Sequence, residues 1–388
     1  MPTALTGARI LTPDDEIGDG GVILDDGRIA EVAPGLSAPA GAEVVDLRGL
    51  TLAPGFVDIH VHGGGGFSLA SGDAEELRSY ARWVVAHGVT SFIASVVGDR
   101  PEDGEAALRA IARAGPAEGG AELLGAHLEG PFVSPERRGA LPEGWLRPPD
   151  AGLLSRFLEA AGGRLRLITL APELPGAAAV LDQAARAGCV VAVGHSDATY
   201  EQAREAFARG ARHLTHAFNA MRPFHHREPG PLGAALDAEG VTVELIADGV
   251  HVHPAAARVV VRGKGAGGVV LVTDGVPPAG LPGGTFHIGG RDARLAEGRI
   301  ALPDGTIAGS AATMDRVVRY VVEEGIATLA QAVRMASTVP ASVVGLAGRK
   351  GRIAPGYDAD LVALDSGLNV AMTWAGGRLA HGRLPRGN

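Results

Sequence analysis

His60 and His62 stand two residues apart at the end of Phe56-Val-Asp-Ile-His-Val-His62, directly before four glycines. In a strand, residues two apart leave the same face, so both imidazoles would project together. Taken alone, the pair reads either as half of a metal site or as two surface or packed histidines. The rest of the chain repeats the arrangement. Glu129 closes the apolar run 123–129, His195 closes 190–195, His216 closes 213–216 and Asp274 follows 269–273. Each such residue alone is more often a cap or a surface group. Several at successive strand ends, each beside a glycine or small turn residue, form a constellation that chance does not supply. Imidazole and carboxylate donors without cysteine suit zinc or another divalent first-row ion, with a position left open for water.

These donors need elements that bring them to one place. Eight short apolar runs read as strands: residues 56–62, 91–97, 123–129, 165–171, 190–195, 213–216, 243–247 and 269–273. Segments of helical period lie between them, among them 74–87, 154–161 and 200–208. Repeated strand–helix alternation predicts a parallel sheet, and eight units predict a (β/α)8 barrel of the TIM type; a doubly wound open sheet is the alternative. Barrel sites form at the C-terminal ends of strands, which is where the donors fall. Residues 313–344 read as helices that finish the barrel side. Both chain ends differ in character. Turns such as Asp25-Asp26-Gly27 separate short alternating runs near the start, and the last forty residues repeat that pattern. Residues 1–53 and 350–388 are therefore expected to pair as one small discontinuous β-sandwich domain beside a catalytic barrel of residues 54–349.

The composition of this 388-residue chain, 46% hydrophobic and 20% charged, is that of a soluble globular enzyme with an aliphatic core. A net charge of −9 argues against a nucleic-acid partner, which would need a basic face. The single cysteine, Cys189, lies in an apolar run and is expected to be buried packing; its isolation fits a reducing cytoplasm. No basic leader precedes an apolar stretch and no membrane-length apolar run occurs, so a cytoplasmic location is expected and a membrane partner is not. Lysine occurs only at positions 264 and 350.

With these residues in view, Pro54-Gly-Phe-Val-Asp-Ile-His-Val-His62 and Gly351-Arg-Ile-Ala-Pro-Gly-Tyr-Asp-Ala-Asp-Leu-Val362 resemble the amidohydrolase superfamily. Within it, His127-Leu-Glu-Gly-Pro-Phe132, Gly194-His-Ser-Asp-Ala198, His216-Ala-Phe-Asn-Ala-Met221 with Arg227-Glu-Pro-Gly230, and Ala247-Asp-Gly-Val-His-Val-His253 resemble the N-acetylglucosamine-6-phosphate deacetylases. The resemblance spans essentially the whole chain. It implies hydrolysis of N-acetylglucosamine 6-phosphate to glucosamine 6-phosphate and acetate, in amino-sugar recycling. It implies Glu129, His195 and His216 as ligands of a principal divalent ion (zinc, iron, manganese or cobalt). His60 and His62 match positions that hold a second ion, with Glu129 bridging, so one or two ions per subunit are expected. Many binuclear relatives bridge their ions with a carbamylated lysine on strand four; with no lysine before Lys264, that arrangement is excluded.

Asp274 matches the family's catalytic aspartate, which takes a proton from the attacking water and delivers it to the departing sugar nitrogen. The resemblance places Asn219, Ala220, Arg227 and His251 around the phosphate, with Arg227 reaching across from a partner subunit, which implies a homodimer. It places Ile307, in Ile307-Ala-Gly-Ser310, over the sugar. His225, His226 and His253 read as loop or surface histidines. The sequence departs from the family at Leu141, where a histidine that contacts the substrate near its acetamido group is usual. A residue near Trp145 is one candidate replacement, and this Pro- and Gly-rich loop is a candidate lid. Three other readings stay open. They are a deacetylase for the galactosamine epimer, a different amidohydrolase reaction such as cyclic-amide or nucleobase hydrolysis, and a metal-containing barrel that has lost activity.

Overall fold

A computed structural model describes residues 1–13, 15–288 and 291–383. Its central sheet has eight parallel strands in sequence order: β1 (Phe56–Val61), β2 (Val89–Val96), β3 (Glu122–Glu129), β4 (Leu165–Leu170), β5 (Val190–Val193), β6 (His213–Leu214), β7 (Thr242–Leu245) and β8 (Val269–Leu271). These runs are rich in Val, Leu and Ile and carry almost no exposed residue, as parallel strands covered on both faces require. The chain beyond β8 closes the ring. Asp274 N–H donates to the His60 carbonyl at 2.9 Å, and His62 N–H donates to the Gly275 carbonyl at 2.7 Å. Asp58 ties the same seam through its Oδ2, which accepts from Thr273 Oγ1 at 2.6 Å. The sheet is the barrel expected from the sequence rather than its open-sheet alternative.

The helices between strands follow from local signals. In Ala74–Val84, Leu77, Tyr80, Ala81 and Val84 are buried, a stripe at the i, i+3, i+4, i+7 spacing, and the Asp73 side chain caps the first turn. Thr199 and Gln202 form a capping box ahead of Tyr200–Arg209. Met314–Glu323, Leu329–Ala336 and Thr338–Val343 supply the helices expected across 313–344.

Two features differ from the sequence reading. Strands β5, β6 and β8 stop two or three residues short of His195, His216 and Asp274, because these three residues have φ of 47°, 25° and 47°. A left-handed residue cannot continue a ladder. A second, antiparallel sheet of four strands (Gly284–Ile288, Arg291–Ala296, Arg299–Ala301 and Ile307–Ser310) was not foreseen. Its tight turn at Glu297-Gly298, with φ of 52° and 75°, is a two-residue hairpin loop with Glu where Asn or Asp would have marked it.

The chain ends build the small β-sandwich. Thr3–Leu11 pairs with Glu16–Asp25, Glu43–Asp46 and Thr51–Pro54, and Leu361–Leu364 adds beside Thr51–Pro54. Leu5, Ile10, Val22, Leu52, Leu361 and Trp374 share its core. An ionic cluster around the buried Lys350 joins the sandwich to the base of the barrel, where Glu122 is exposed. Lys350 Nζ lies 2.6 Å from Asp360, 2.8 Å from Glu122 at the start of β3 and 3.0 Å from Asp358. Cys189 is buried, as expected, with its thiol against the Leu165 carbonyl and its pKa pushed up to about 11 by burial. Among the described residues no helix is long and apolar enough to cross a membrane.

Candidate metal centre and active site

Every donor singled out in the sequence reaches the C-terminal mouth of the barrel. Glu129, the last residue of β3, stands at the middle. Its Oε1 lies 3.0 Å from His195 Nε2, 3.2 Å from His216 Nε2 and 3.3 Å from His60 Nε2, while its Oε2 lies 3.3 Å from His62 Nε2. Asp274 Oδ1 is 3.3 Å from His62 Nε2 and 3.6 Å from His60 Nε2. Two three-residue groups therefore converge, Glu129–His195–His216 and His60–His62–Asp274, with Glu129 touching both.

The backbone pays a strain cost to aim these side chains. His195, His216 and Asp274 all hold positive φ, a conformation that costs a non-glycine residue on the order of 1 kcal/mol or more. Such strain at three strand ends of one barrel mouth marks a functional site. Second contacts orient the rings. His195 Nδ1 meets the Arg137 carbonyl at 3.0 Å, and His60 Nδ1 meets Glu244 Oε2 at 2.8 Å. Trp145 Nε1 donates to the Glu129 carbonyl at 2.8 Å, fixing the backbone of the central carboxylate.

The cluster is electrically demanding. Burial opposes charge on His60, yet Glu244, Glu129 and Asp274 together hold its pKa well above the ordinary histidine value. At His62 burial is likewise outweighed, by Asp274 and Glu129, and the pKa rises to about 9. Burial opposes ionisation of Glu129 and Asp274, but the neighbouring imidazoles, His60 foremost, keep both below the usual carboxylate range. Several buried carboxylates thus call for positive charge at one spot. A divalent ion answers that demand and would displace the ring protons as it binds. The donors fit such an ion. His195 Nε2 and His216 Nε2 converge to 3.0 Å, and His60 Nε2 is buried with no hydrogen-bond partner among the described residues. His127, two residues before Glu129, packs its ring edge-on against His60 at 4.6 Å but keeps its nitrogens out of the donor set. Burial drives its pKa well down, and Ser95 and Thr169 take its two nitrogens.

A cavity of about 600 Å³ opens above the cluster. Asn219, Ala220, His251 and Ile307 all line it beside Glu129 and Asp274, together with Leu141. Asp248 Oδ2 holds His251 Nδ1 at 2.8 Å and also accepts from Ser310 Oγ at 2.9 Å. Arg227 does not reach this wall. It is exposed on the 222–229 loop, where its guanidinium meets His226 Nε2 at 2.8 Å. His225 and His226 are exposed on the same loop, and His253 caps the helix Pro254–Lys264. Trp145 itself is fully buried, with its N–H on the Glu129 carbonyl. The polar wall near Leu141 comes instead from the unforeseen sheet, as His287 and Arg291, with the Arg291 guanidinium on the Ala140 carbonyl.

Sequence reasoning also missed Glu244, Asp248 and Asp58. The available signal was an acidic residue inside an otherwise apolar strand, as at Val243-Glu244-Leu245.

A parallel eight-stranded barrel with a histidine–carboxylate cluster at its C-terminal mouth defines the class of barrels built to bind metal at that mouth. The model of the amidohydrolase family matches residues 51–380, and the chain belongs to that family. It is 37% identical over 359 residues to a protein of Lysinibacillus sphaericus named N-acetylglucosamine-6-phosphate deacetylase, covering 92% of both chains. It is 36% identical over 387 residues to an Escherichia coli O157:H7 protein named N-acetylgalactosamine-6-phosphate deacetylase, covering 98% of this chain and 100% of that one. A structure of a variant N-acetyl-D-glucosamine-6-phosphate deacetylase from Mycobacterium smegmatis, in complex with N-acetyl-D-glucosamine-6-phosphate, superposes with a TM-score of 0.92 at 38% identity. That match covers 98% of this chain and 99% of the other.

Proposed function

We propose that this protein hydrolyses N-acetyl-D-glucosamine 6-phosphate to D-glucosamine 6-phosphate and acetate. The observation that carries the reading is the placement of Asp274. Its carboxylate lies 3.3 Å from His62 and 3.6 Å from His60, which Glu129 links to His195 and His216, and it faces the same cavity of about 600 Å³ that Asn219, Ala220 and His251 line.

In this reading Glu129, His195 and His216 would hold the principal divalent ion, and His60 and His62, with Glu129 within reach, would hold a second. Zinc, iron, manganese and cobalt all suit these donors. When bound, the ion makes water a nucleophile at neutral pH and polarises the amide carbonyl. The chain's own residues do the rest. Asp274, kept ionised by His60 and His62 against the cost of burial, receives the proton of the attacking water. It then returns that proton to the sugar nitrogen as the C–N bond breaks, so acetate and an amine leave. His251, held above the ordinary histidine pKa by Asp248 in spite of burial, presents positive charge to the phosphate. Asn219 and Ala220 add donors beside it, and Arg227 completes the phosphate site of a second subunit in a homodimer. Ile307 packs over the sugar. The buried, isolated Cys189 supports a cytoplasmic setting. The sandwich and barrel divide near residues 54 and 350.

A second reading, hydrolysis of the galactosamine epimer, draws support from the relative of that name and from Leu141, which presents an apolar wall where family members carry histidine. One experiment separates them. Acetate release is measured from both phosphorylated sugars and from unphosphorylated N-acetylglucosamine, with metal-reconstituted protein. Rapid turnover of the glucosamine phosphate alone supports the main reading. Preference for the epimer supports the second, and indifference to phosphate defeats both.

A further inference from the structure

Glu244 lies in the middle of β7 and is completely buried between Val243 and Leu245. An isolated carboxylate there would cost several kcal/mol, so its partners explain its presence. Its Oε2 accepts from His60 Nδ1 at 2.8 Å and from the His216 backbone N–H at 3.0 Å, and its Oε1 meets His213 Nε2 at 2.9 Å. One carboxylate thereby grips β1, β6 and, two residues beyond β6, the strained backbone of His216.

The chemistry of those contacts is directional. A carboxylate only accepts, so His60 must carry a proton on Nδ1. When the ring is neutral, its lone pair is then on Nε2, the buried nitrogen that has no hydrogen-bond partner among the described residues and lies 3.3 Å from Glu129. Without Glu244, the proton is free to sit on Nε2 and the ring is free to turn. The bond to the His216 N–H acts on the other donor group. It secures the backbone, at φ 25°, that aims His216 Nε2 at Glu129.

We propose that Glu244 is a positioning residue that makes the His60–His62 pair competent for a second divalent ion and ties that half of the centre to the Glu129–His195–His216 half. The inference rests on the metal-centre reading and is independent of which sugar is the substrate.

The test titrates cobalt(II) into metal-depleted wild type, Glu244→Leu and Glu244→Gln, reading stoichiometry by elemental analysis, affinity by calorimetry and the ligand field by absorption. Wild type is expected to take up two ions per chain. In Glu244→Leu the first ion binds within a few-fold of wild type and the second about 10–100-fold more weakly, the range seen when outer partners of metal ligands are removed. Glu244→Gln keeps an acceptor oxygen toward His60 and the His216 N–H and turns its amide N–H toward His213. It should therefore restore most of the second-site affinity. If Glu244→Leu does not fold, Glu244→Asp, which draws the carboxylate back from His60 Nδ1, decides in its place by weakening the second ion more than the first. Two ions at wild-type affinity in Glu244→Leu, or equal loss of both ions without rescue by glutamine, would overturn the inference alone. A wild-type chain that binds only one ion also overturns it, and one that binds none sinks the metal reading with it.

Discussion

Replacing Lys350 by methionine isolates one feature of the fold whose cost follows from the geometry. Lys350 is 3% exposed, and its ammonium lies within 3.0 Å of three carboxylates. Two of these keep other partners, since Arg349 contacts both Glu122 and Asp358. Asp360 would be left with the Gly376 N–H at 2.8 Å as its remaining donor. Removing one member of a buried ion pair costs about 3–5 kcal/mol, and the surviving partners of Glu122 and Asp358 point to the lower end of that range. With unfolding entropy near 2.1 cal/mol/K per residue, about 3 kcal/mol corresponds to a fall of roughly 4 °C in a chain of this length.

The loss should also depend on pH. Burial already raises the Asp360 pKa despite Lys350, and without the lysine it rises further. A folded-state pKa above the unfolded one means that the folded protein binds the extra proton. The variant's stability must therefore fall as pH rises through that window, at up to about 1.4 kcal/mol per pH unit. Calorimetric and urea unfolding of wild type, Lys350→Met and Lys350→Met/Asp360→Leu at pH 5.5, 7 and 8.5 reads both effects. A deficit that widens toward high pH and is largely recovered in the double variant is expected. A shift below about 1 °C, or one independent of pH, would refute the view that this cluster locks sandwich to barrel.

Other expectations follow from the site. Arg227 is exposed and absent from the cavity wall of its own chain, so Arg227→Ala and Asp274→Asn subunits, each nearly inactive alone, should regain activity when co-assembled; no recovery places Arg227 outside its neighbour's site. His251 has a raised pKa, so its charge is present below the folded value and lost as pH rises through it. KM for the phosphorylated sugar should climb on the alkaline side, and Asp248→Asn should move that climb toward the ordinary histidine range, near pH 6.5, in steady-state pH profiles. Trp145→Phe leaves the buried Glu129 carbonyl without its 2.8 Å donor and should cost about 1–3 kcal/mol in urea unfolding, with weaker ion uptake.

The donors are legible in the sequence because each directly follows a short β-branched or aliphatic run, so the barrel rule carries them to one mouth. Their strained backbone is not legible, since positive φ at His195, His216 and Asp274 is imposed by tertiary contacts rather than by residue type. Glu244 escaped for a related reason. A lone acid in a strand is ambiguous until His60, 184 residues away, is placed beside it. The sheet from Gly284 to Ser310 lies outside the strand–helix repeat, and its hairpin turn lacks the Asn-Gly signature that would have announced it. The Lys350 cluster joins residues more than two hundred positions apart, and no local pattern encodes such a contact. Arg227 is the reverse case: the resemblance implied its role, and the geometry of one chain leaves it at the surface.

Asp274→Asn, prepared at the metal content of wild type and assayed for acetate release from N-acetylglucosamine 6-phosphate, tests the central claim most directly. The amide keeps the shape of the side chain but cannot take the proton of the attacking water. A fall in kcat of about 10²–10⁴-fold, with ion content and sugar-phosphate binding retained, is the expected result. Turnover within a few-fold of wild type would contradict it and move the chemistry away from this cluster.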